Sequence, residues 1–252
     1  MRTGLDLRHL TFVLTSQCNL RCRYCYQNAK KPGRLSPEAF QAARQVCLQS
    51  GNRAVEVLFM GGEPLLEFPL IRRAVEFLED RCPVDMKIRF IVSTNGTLLT
   101  DKIVDFLEDH SFATQLSFDG LSTAQDLRGP ATFTVLDRWL DRLQEDHPVF
   151  FRQNVQVNLT VVPETVAQLP VSIDYLVKKR TSKISIQPSI TSDSRWRAEA
   201  IDELDAVFGV IFNRCKYFWE ETRQIPLLLF QETTTVPPSH GEEWPMCGIL
   251  AG

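Results

Sequence analysis

Three of the seven cysteines crowd into one short segment, Cys18-Asn19-Leu20-Arg21-Cys22-Arg23-Tyr24-Cys25-Tyr26. Thiolates separated by three and then two residues can wrap one face of an iron–sulfur cube, because cysteine thiolates are the usual ligands of such clusters. A fourth iron would have no local protein ligand, and an open metal position invites an external one. The same triplet completed by a histidine could hold zinc, although no histidine follows it closely. As a bare helical motif the three would be buried small hydrophobes, but the segment is polar and studded with arginines. Other polar and glycine-rich groups end the chain's β-rich runs: Met60-Gly61-Gly62-Glu63-Pro64, Ser93-Thr94-Asn95-Gly96, Ser117-Phe118-Asp119-Gly120, Asn158 and Gln187-Pro188. Glycines at 61 and 62 permit close backbone approach to a ligand. Glu63 offers a carboxylate to a cation.

Something must hold these groups on one rim. The chain alternates short β-rich runs with longer helical patterns. Strands are expected at 9–14, 54–59, 87–93, 115–118, 155–161 and 184–187. Helices follow from Ser36-Pro37, over 70–81, 101–110, 133–145 and 166–179, and from about 197 to 222. Ser36 is the expected N-cap and Pro37 the first helical residue, with Phe40, Ala43 and Cys47 on one face. Six strand–helix units in strict order imply an α/β fold with a parallel sheet and right-handed crossovers. The strands are mostly apolar, as when both faces are covered. Eight units would close a barrel; six fit an incomplete barrel or an open doubly wound sheet. In either fold the ends of the strands carry the function.

These motifs resemble the radical S-adenosylmethionine (SAM) enzymes. Cys18-x-x-x-Cys22-x-x-Cys25, with aromatic Tyr24, is similar to that family's defining motif, and Gly61-Gly62-Glu63-Pro64 to its second, over about residues 8–225. The resemblance implies an incomplete (β/α)6 barrel and a [4Fe-4S] cluster held by Cys18, Cys22 and Cys25. SAM would be seated by Tyr24, Gly61, Gly62, Glu63, Ser93, Asn95, Ser117, Asp119 and Asn158. Glu63 would accept from the SAM ammonium, and the polar side chains would bond its ribose and carboxylate. Reductive cleavage of SAM would yield a 5′-deoxyadenosyl radical that abstracts hydrogen. No catalytic residue beyond these is assigned.

A narrower resemblance, to sulfatase-maturing enzymes and other SPASM-type maturases of ribosomal peptides, lies in Cys18–Tyr26, Ser93–Leu99, Ser117-x-Asp119-Gly120 and Val157–Glu164. It implies oxidation or crosslinking of side chains in a peptide or protein substrate, with a flavodoxin- or ferredoxin-type electron donor. One place departs from it: Gln125-Asp126 is followed by a single residue before Arg128, where the subgroup often has two. Residues 1–225 are expected to form the barrel. Residues 226–252 are expected to be a linker and the start of an auxiliary region, with Cys247 its first cysteine and an auxiliary Fe-S cluster only in a longer native chain. Alternative readings are a radical SAM enzyme acting on a small molecule, a glycyl-radical activase, or a non-enzymatic zinc-binding interaction module.

The 252 residues fit one large domain or two small ones. With 44% hydrophobic and 23% charged residues, the chain is neither disordered nor a coiled-coil rod. A net charge of −3 gives no reason to expect nucleic acid or an anionic membrane as partner. No apolar run reaches membrane-span length, the N-terminus lacks a signal-peptide pattern, and cysteine usage fits a reducing compartment; a cytoplasmic protein is expected. Cys47, Cys82 and Cys215 are read as small buried hydrophobes, and His110 and His147 as residues near helix C-termini.

Overall fold

A computed structural model describes residues 6–27, 33–189 and 195–231. Six parallel strands form one sheet in the sequential order β1 (His9–Val13), β2 (Ala54–Met60), β3 (Lys87–Thr94), β4 (Ala113–Ser117), β5 (Val155–Val161) and β6 (Ile184–Pro188). A doubly wound sheet needs a reversal of strand order. There is none, so the crossovers proceed in one direction and the sheet is an incomplete barrel.

The helices are α1 (Pro37–Leu48), α2 (Phe68–Arg81), α3 (Asp101–Asp109), α4 (Ser122–Gln125), α5 (Thr132–Asp146), α6 (Pro148–Asn154), α7 (Leu169–Lys178), α8 (Ala198–Thr222) and α9 (Leu228–Gln231). Ser36 caps α1 by accepting from Ala39 N–H, and Phe40 and Cys47 are its buried residues. On α2 the buried positions are Ile71, Ala74, Val75 and Leu78, the spacing of one apolar helical face. Short 3-10 turns at Pro64–Glu67 and Pro163–Gln168 precede α2 and α7. Past Pro226 the chain still packs against the body: Leu227 is buried and bridges in parallel to Ile184. Cys247 and the rest of the expected linker and auxiliary region, 232–252, lie outside the described residues.

Only one face of the sheet is sealed. Val55, Val57, Phe59, Phe90, Val92, Leu116, Val157 and Leu159 are buried. Alternate residues such as Leu58, Ile91, Gln115 and Asn158 are only half-buried, and Val13 is 50% exposed. This corrects the expectation of strands covered on both faces. The second face is concave and open, and two rows of paired positions cross it. One runs Ser93–Gln115–Gln156 and the other Ser117–Asn158–Ser185.

The remaining cysteines divide. Cys47 and Cys215 are buried and burial pushes both thiols up to about 11. Cys82 is half-buried rather than part of the core, because it follows α2 as its C-cap and leaves the helix's apolar face; its thiol donates to Met86 O at 3.3 Å. At pH 8 a thiol titrating near 11 is about 0.1% thiolate. Iodoacetamide is therefore expected to modify exposed Cys18 about 100-fold faster than Cys47 or Cys215 in the folded chain, read by peptide mass mapping. Equal rates would contradict this packing.

Candidate functional site

The carboxyl ends of β1, β2 and β3 bring the cysteine segment, the glycine turn and Asn95 together. The link between the first two is backbone. Gly62 N–H donates to Thr15 O at 2.7 Å, and Glu63 N–H to Gln17 O at 2.8 Å. A Cβ on Gly61 would lie 2.2 Å from Thr15 O, and one on Gly62 2.2 Å from Gln17 O. The space these glycines leave is thus filled by the chain's own segment leading into Cys18. Gln27, at the far end of the cysteine segment, donates from Nε2 to Gly61 O at 2.9 Å. The turn grips the segment at both ends.

Glu63 is fully buried. Its carboxylate accepts from Thr94 Oγ1 at 2.6 Å, Asn95 N–H at 2.8 Å and Leu65 N–H at 3.0 Å. Burial raises the Glu63 carboxyl above its ordinary range, opposed by these three bonds. The side chain therefore caps the following 3-10 turn and ties it to the end of β3. Glu63→Ala leaves these buried donors unpaired, and is expected to lower stability by about 2–4 kcal/mol in urea unfolding of the metal-free chain. A loss below about 0.5 kcal/mol, the range of ordinary surface changes, would contradict the bracing role.

Asn95 is also buried, and it reaches the cysteine segment directly. Its Nδ2 donates to Asn19 Oδ1 at 2.9 Å and lies 3.7 Å from Cys18 Sγ. Thr97 N–H donates to Asn95 Oδ1 at 2.9 Å, which fixes the carboxamide's orientation. Backbone donors meet the sulfurs as well: Leu20 N–H to Cys18 Sγ and Gln27 N–H to Cys25 Sγ, each at 3.4 Å. Donors aimed at sulfur favour thiolates and metal–thiolate bonds.

Cys18 is exposed and Cys22 and Cys25 are half-exposed. Burial raises the Cys18 thiol, and raises that of Cys22 to about 11. The negative charge of each neighbouring thiolate adds to the rise at Cys22. The three sulfurs thus share one electrostatic neighbourhood. Among the described residues no three His, Cys, Asp or Glu side chains converge on a single ion position. A mutually coupled but open set of three thiols fits a multi-iron cluster.

Asp119 lies deeper than a ligand-facing residue. It is 2% exposed, and its carboxylate accepts from Arg128 Nε at 2.9 Å, Arg128 Nη2 at 2.8 Å, Thr160 N–H at 2.8 Å and the Tyr24 hydroxyl. These occupy all four lone-pair positions. Gln125, fully buried, accepts from Asp119 N–H at 2.9 Å. The structure therefore gives Gln125 and Arg128 clear places beside Asp119, one helical turn apart despite the shortened spacing. Ser93, Ser117 and Asn158 stand on the open concave wall, where Asn158 Oδ1 accepts from Gln156 Nε2 at 2.6 Å. Thr94, Gln27, Gln125, Thr160 and Arg128 are site residues to which sequence reasoning gave no role. Thr94 and Thr160 lie inside motifs that it singled out, Gln125 and Arg128 follow Asp-Gly, and Gln27 had no signal.

Residues 12–176 match the radical SAM superfamily. The chain belongs to that family. It is an enzyme of the radical SAM type, whose members use a [4Fe-4S] cluster and SAM. It is 29% identical over 196 residues to an uncharacterised protein of Methanocaldococcus jannaschii, covering 73% of this chain and 68% of that one. It is 30% identical over 195 residues to the serine-type anaerobic sulfatase-maturating enzyme of Klebsiella aerogenes, covering 71% of this chain and 46% of that enzyme. The radical SAM chain therefore spans less than half of this characterised relative. In fold it is similar to native anSMEcpe solved with bound AdoMet and the Kp18Cys peptide, with a TM-score of 0.77 and 20% identity over 91% of this chain and 65% of that one. No helix among the described residues is long and apolar enough to cross a membrane.

Proposed function

We propose that this radical SAM enzyme modifies a side chain of a peptide or protein, with Cys18, Cys22 and Cys25 holding the [4Fe-4S] cluster. The observation that carries the reading is the convergence of the three cysteines, the glycine turn and Asn95 at the mouth of an open, polar concave wall. When bound and reduced, the cluster would supply the one-electron chemistry for SAM cleavage and hydrogen abstraction. The chain's part is to position. Gly61 and Gly62 keep the backbone of the turn against the cysteine segment, and Glu63 and Asn95 hold that turn rigid. Glu63, fully buried, serves through the turn and the β3 end that it ties together. Ser93, Ser117 and Asn158 offer hydroxyl and amide groups to the SAM ribose and carboxylate. Asp119 serves through what it holds, Tyr24 and Arg128.

The wall supports this substrate class. Ser93, Gln115, Ser117, Gln156, Asn158 and Ser185 form a continuous neutral polar surface, and carboxamides carry both donor and acceptor for peptide groups. The Klebsiella relative, named for sulfatase maturation, and the peptide in the anSMEcpe structure support the same class. The test is deuterium transfer into 5′-deoxyadenosine from side-chain-deuterated Ser- and Cys-containing peptides, run beside the free amino acids. Transfer from peptides alone is expected. Transfer from free amino acids and none from peptides would overturn the peptide assignment.

A further inference from the structure

We propose that the peptide substrate binds in extended form, as an added strand on the free edge of β1, paired to the backbone of His9, Thr11 and Val13. The inference rests on the peptide reading above and states how that peptide is held.

The two edges of the open sheet are β1 and β6, and they are built differently. The β6 edge is guarded. Ile184 N–H donates to Pro226 O at 2.7 Å, and Leu227 bridges to the same residue. Pro188 ends the strand with no N–H to offer, a common way of blunting an edge. The β1 edge has neither device. Arg8 O accepts from Glu56 N–H at 2.8 Å, and Leu14 N–H donates to Met60 O at 2.9 Å. In a parallel ladder alternate residues turn both backbone groups to the same neighbour. Residues 8, 10, 12 and 14 therefore face β2, and His9, Thr11 and Val13 face outward. These three are exposed, and their outward groups make no hydrogen bond among the described residues. Such a row of N–H and C=O groups is a template for another strand. Thr11 and Val13 are β-branched, which suits pairing.

The edge leads to the site. β1 runs directly into the segment that carries Cys18, and just past the strand this edge already takes backbone of the chain itself. Leu35 N–H donates to Leu14 O and Ser16 N–H to Gly33 O, each at 2.9 Å, with Thr15 bridged antiparallel to Arg34. Phe12 packs on Phe40 and Phe59 in the sealed layer, so His9, Thr11 and Val13 stand on the concave face. Val13 pairs with Met60, and Phe59 with Val92, which puts Met60 level with Ser93. The row Ser93–Gln115–Gln156 thus reaches the edge through Met60 and Val13. A strand added there turns every second side chain to the concave wall, and the modified residue is one of these. Main-chain pairing supplies affinity, and the wall-facing side chains supply selectivity.

The experiment uses the full chain, reconstituted anaerobically with iron and sulfide, with and without the Cys-containing peptide of the deuterium-transfer test. Backbone hydrogen exchange is read residue by residue by mass spectrometry with electron-transfer fragmentation. Without peptide, His9, Thr11 and Val13 are expected to exchange at least about tenfold faster than Leu10, Phe12 and Leu14. Saturating peptide is expected to slow the first three about tenfold and to leave the second three unchanged. Deuterium transfer from the peptide with no slowing at residues 9, 11 and 13 overturns the edge pairing while the peptide reading stands. Transfer from free amino acids alone overturns both. Slow exchange without peptide that deepens with protein concentration makes a second copy the occupant, and slow exchange at every concentration makes it the chain itself; either overturns the proposal. The peptide's own backbone gives a second readout. N-methylation is expected to raise KM about tenfold at every second position of the paired stretch, with the positions between staying within about threefold. An even effect along the peptide, or none, overturns strand addition.

Discussion

Cys22→Ala is expected to abolish SAM cleavage, lowering dithionite-dependent 5′-deoxyadenosine formation by more than about a hundredfold. Loss of an outer partner of a metal ligand already costs 10–100-fold, and this change removes a ligand itself. Among the described residues Cys22 has no substitute nearby. Cys47 is buried on the apolar side of α1, Cys215 is buried in α8, and Cys82 is bonded to Met86 O at the end of α2. The variant is expected to stay folded, because Cys22 is half-exposed and belongs to no strand or helix. The check is iron and sulfide content together with product formation, beside a thermal melt of the metal-free proteins. Wild-type levels of product from Cys22→Ala would remove this cysteine from the cluster.

Gly62→Ala is expected to be the most damaging single-methyl addition in the described chain. Its Cβ would lie 2.2 Å from Gln17 O, 2.5 Å from Gln17 C and 2.7 Å from Ser16 O, all of them backbone atoms. No side chain can rotate away, so the turn must separate from the segment leading into Cys18. That movement breaks the bonds from Gly62 N–H to Thr15 O and from Glu63 N–H to Gln17 O. Overpacking of this severity costs about 3 kcal/mol, which lowers Tm by about 6–12 °C in a chain of this size. Iron retention is expected to fall with it. Gly129→Ala is the comparison, since its Cβ would meet only side-chain atoms, the nearest Leu20 Cδ2 at 3.2 Å. Differential scanning calorimetry of both metal-free variants decides the matter. Equal melting temperatures would show that the turn is not packed as described.

Much of this architecture is legible in the residues. The expected β5 matches the observed Val155–Val161, and the Ser36 cap and Pro37 start of α1 are as expected. Strong apolar runs and an unambiguous cap leave little choice there. Where the signal is weak the reading drifts. The strand expected at 115–118 is observed at Ala113–Ser117, because Ala-Thr-Gln is a poor strand signature and Phe118 carries on the apolar pattern after pairing has ended. Helices α4 and α6 have 4 and 7 residues, too short for a helical period to stand out. The 3-10 turn at Pro64–Glu67 was hidden inside a motif that reads as a loop.

The site divides in the same way. The residues themselves are conspicuous by type and spacing, but their partners are not. Nothing local shows that Glu63 would be enclosed by Thr94 and Asn95, which lie 31 and 32 residues away. Nor does spacing reveal that Asp119 faces Arg128 and Tyr24 in place of solvent. Such pairings are created by strand order, which brings the ends of β1, β3 and β4 to one rim. The glycines make the same point, since their missing side chains are explained by Thr15 and Gln17.

The central claim is that Cys18, Cys22 and Cys25 carry a cluster that works on SAM. The most direct measurement is the electron paramagnetic resonance spectrum of the dithionite-reduced, reconstituted chain, recorded with and without SAM beside iron and sulfide counts. About four irons and four sulfides per chain are expected, with a reduced-cluster signal whose line shape changes when SAM is added, followed by release of 5′-deoxyadenosine. Tightly bound zinc with no iron, or an iron–sulfur signal indifferent to SAM, would contradict it.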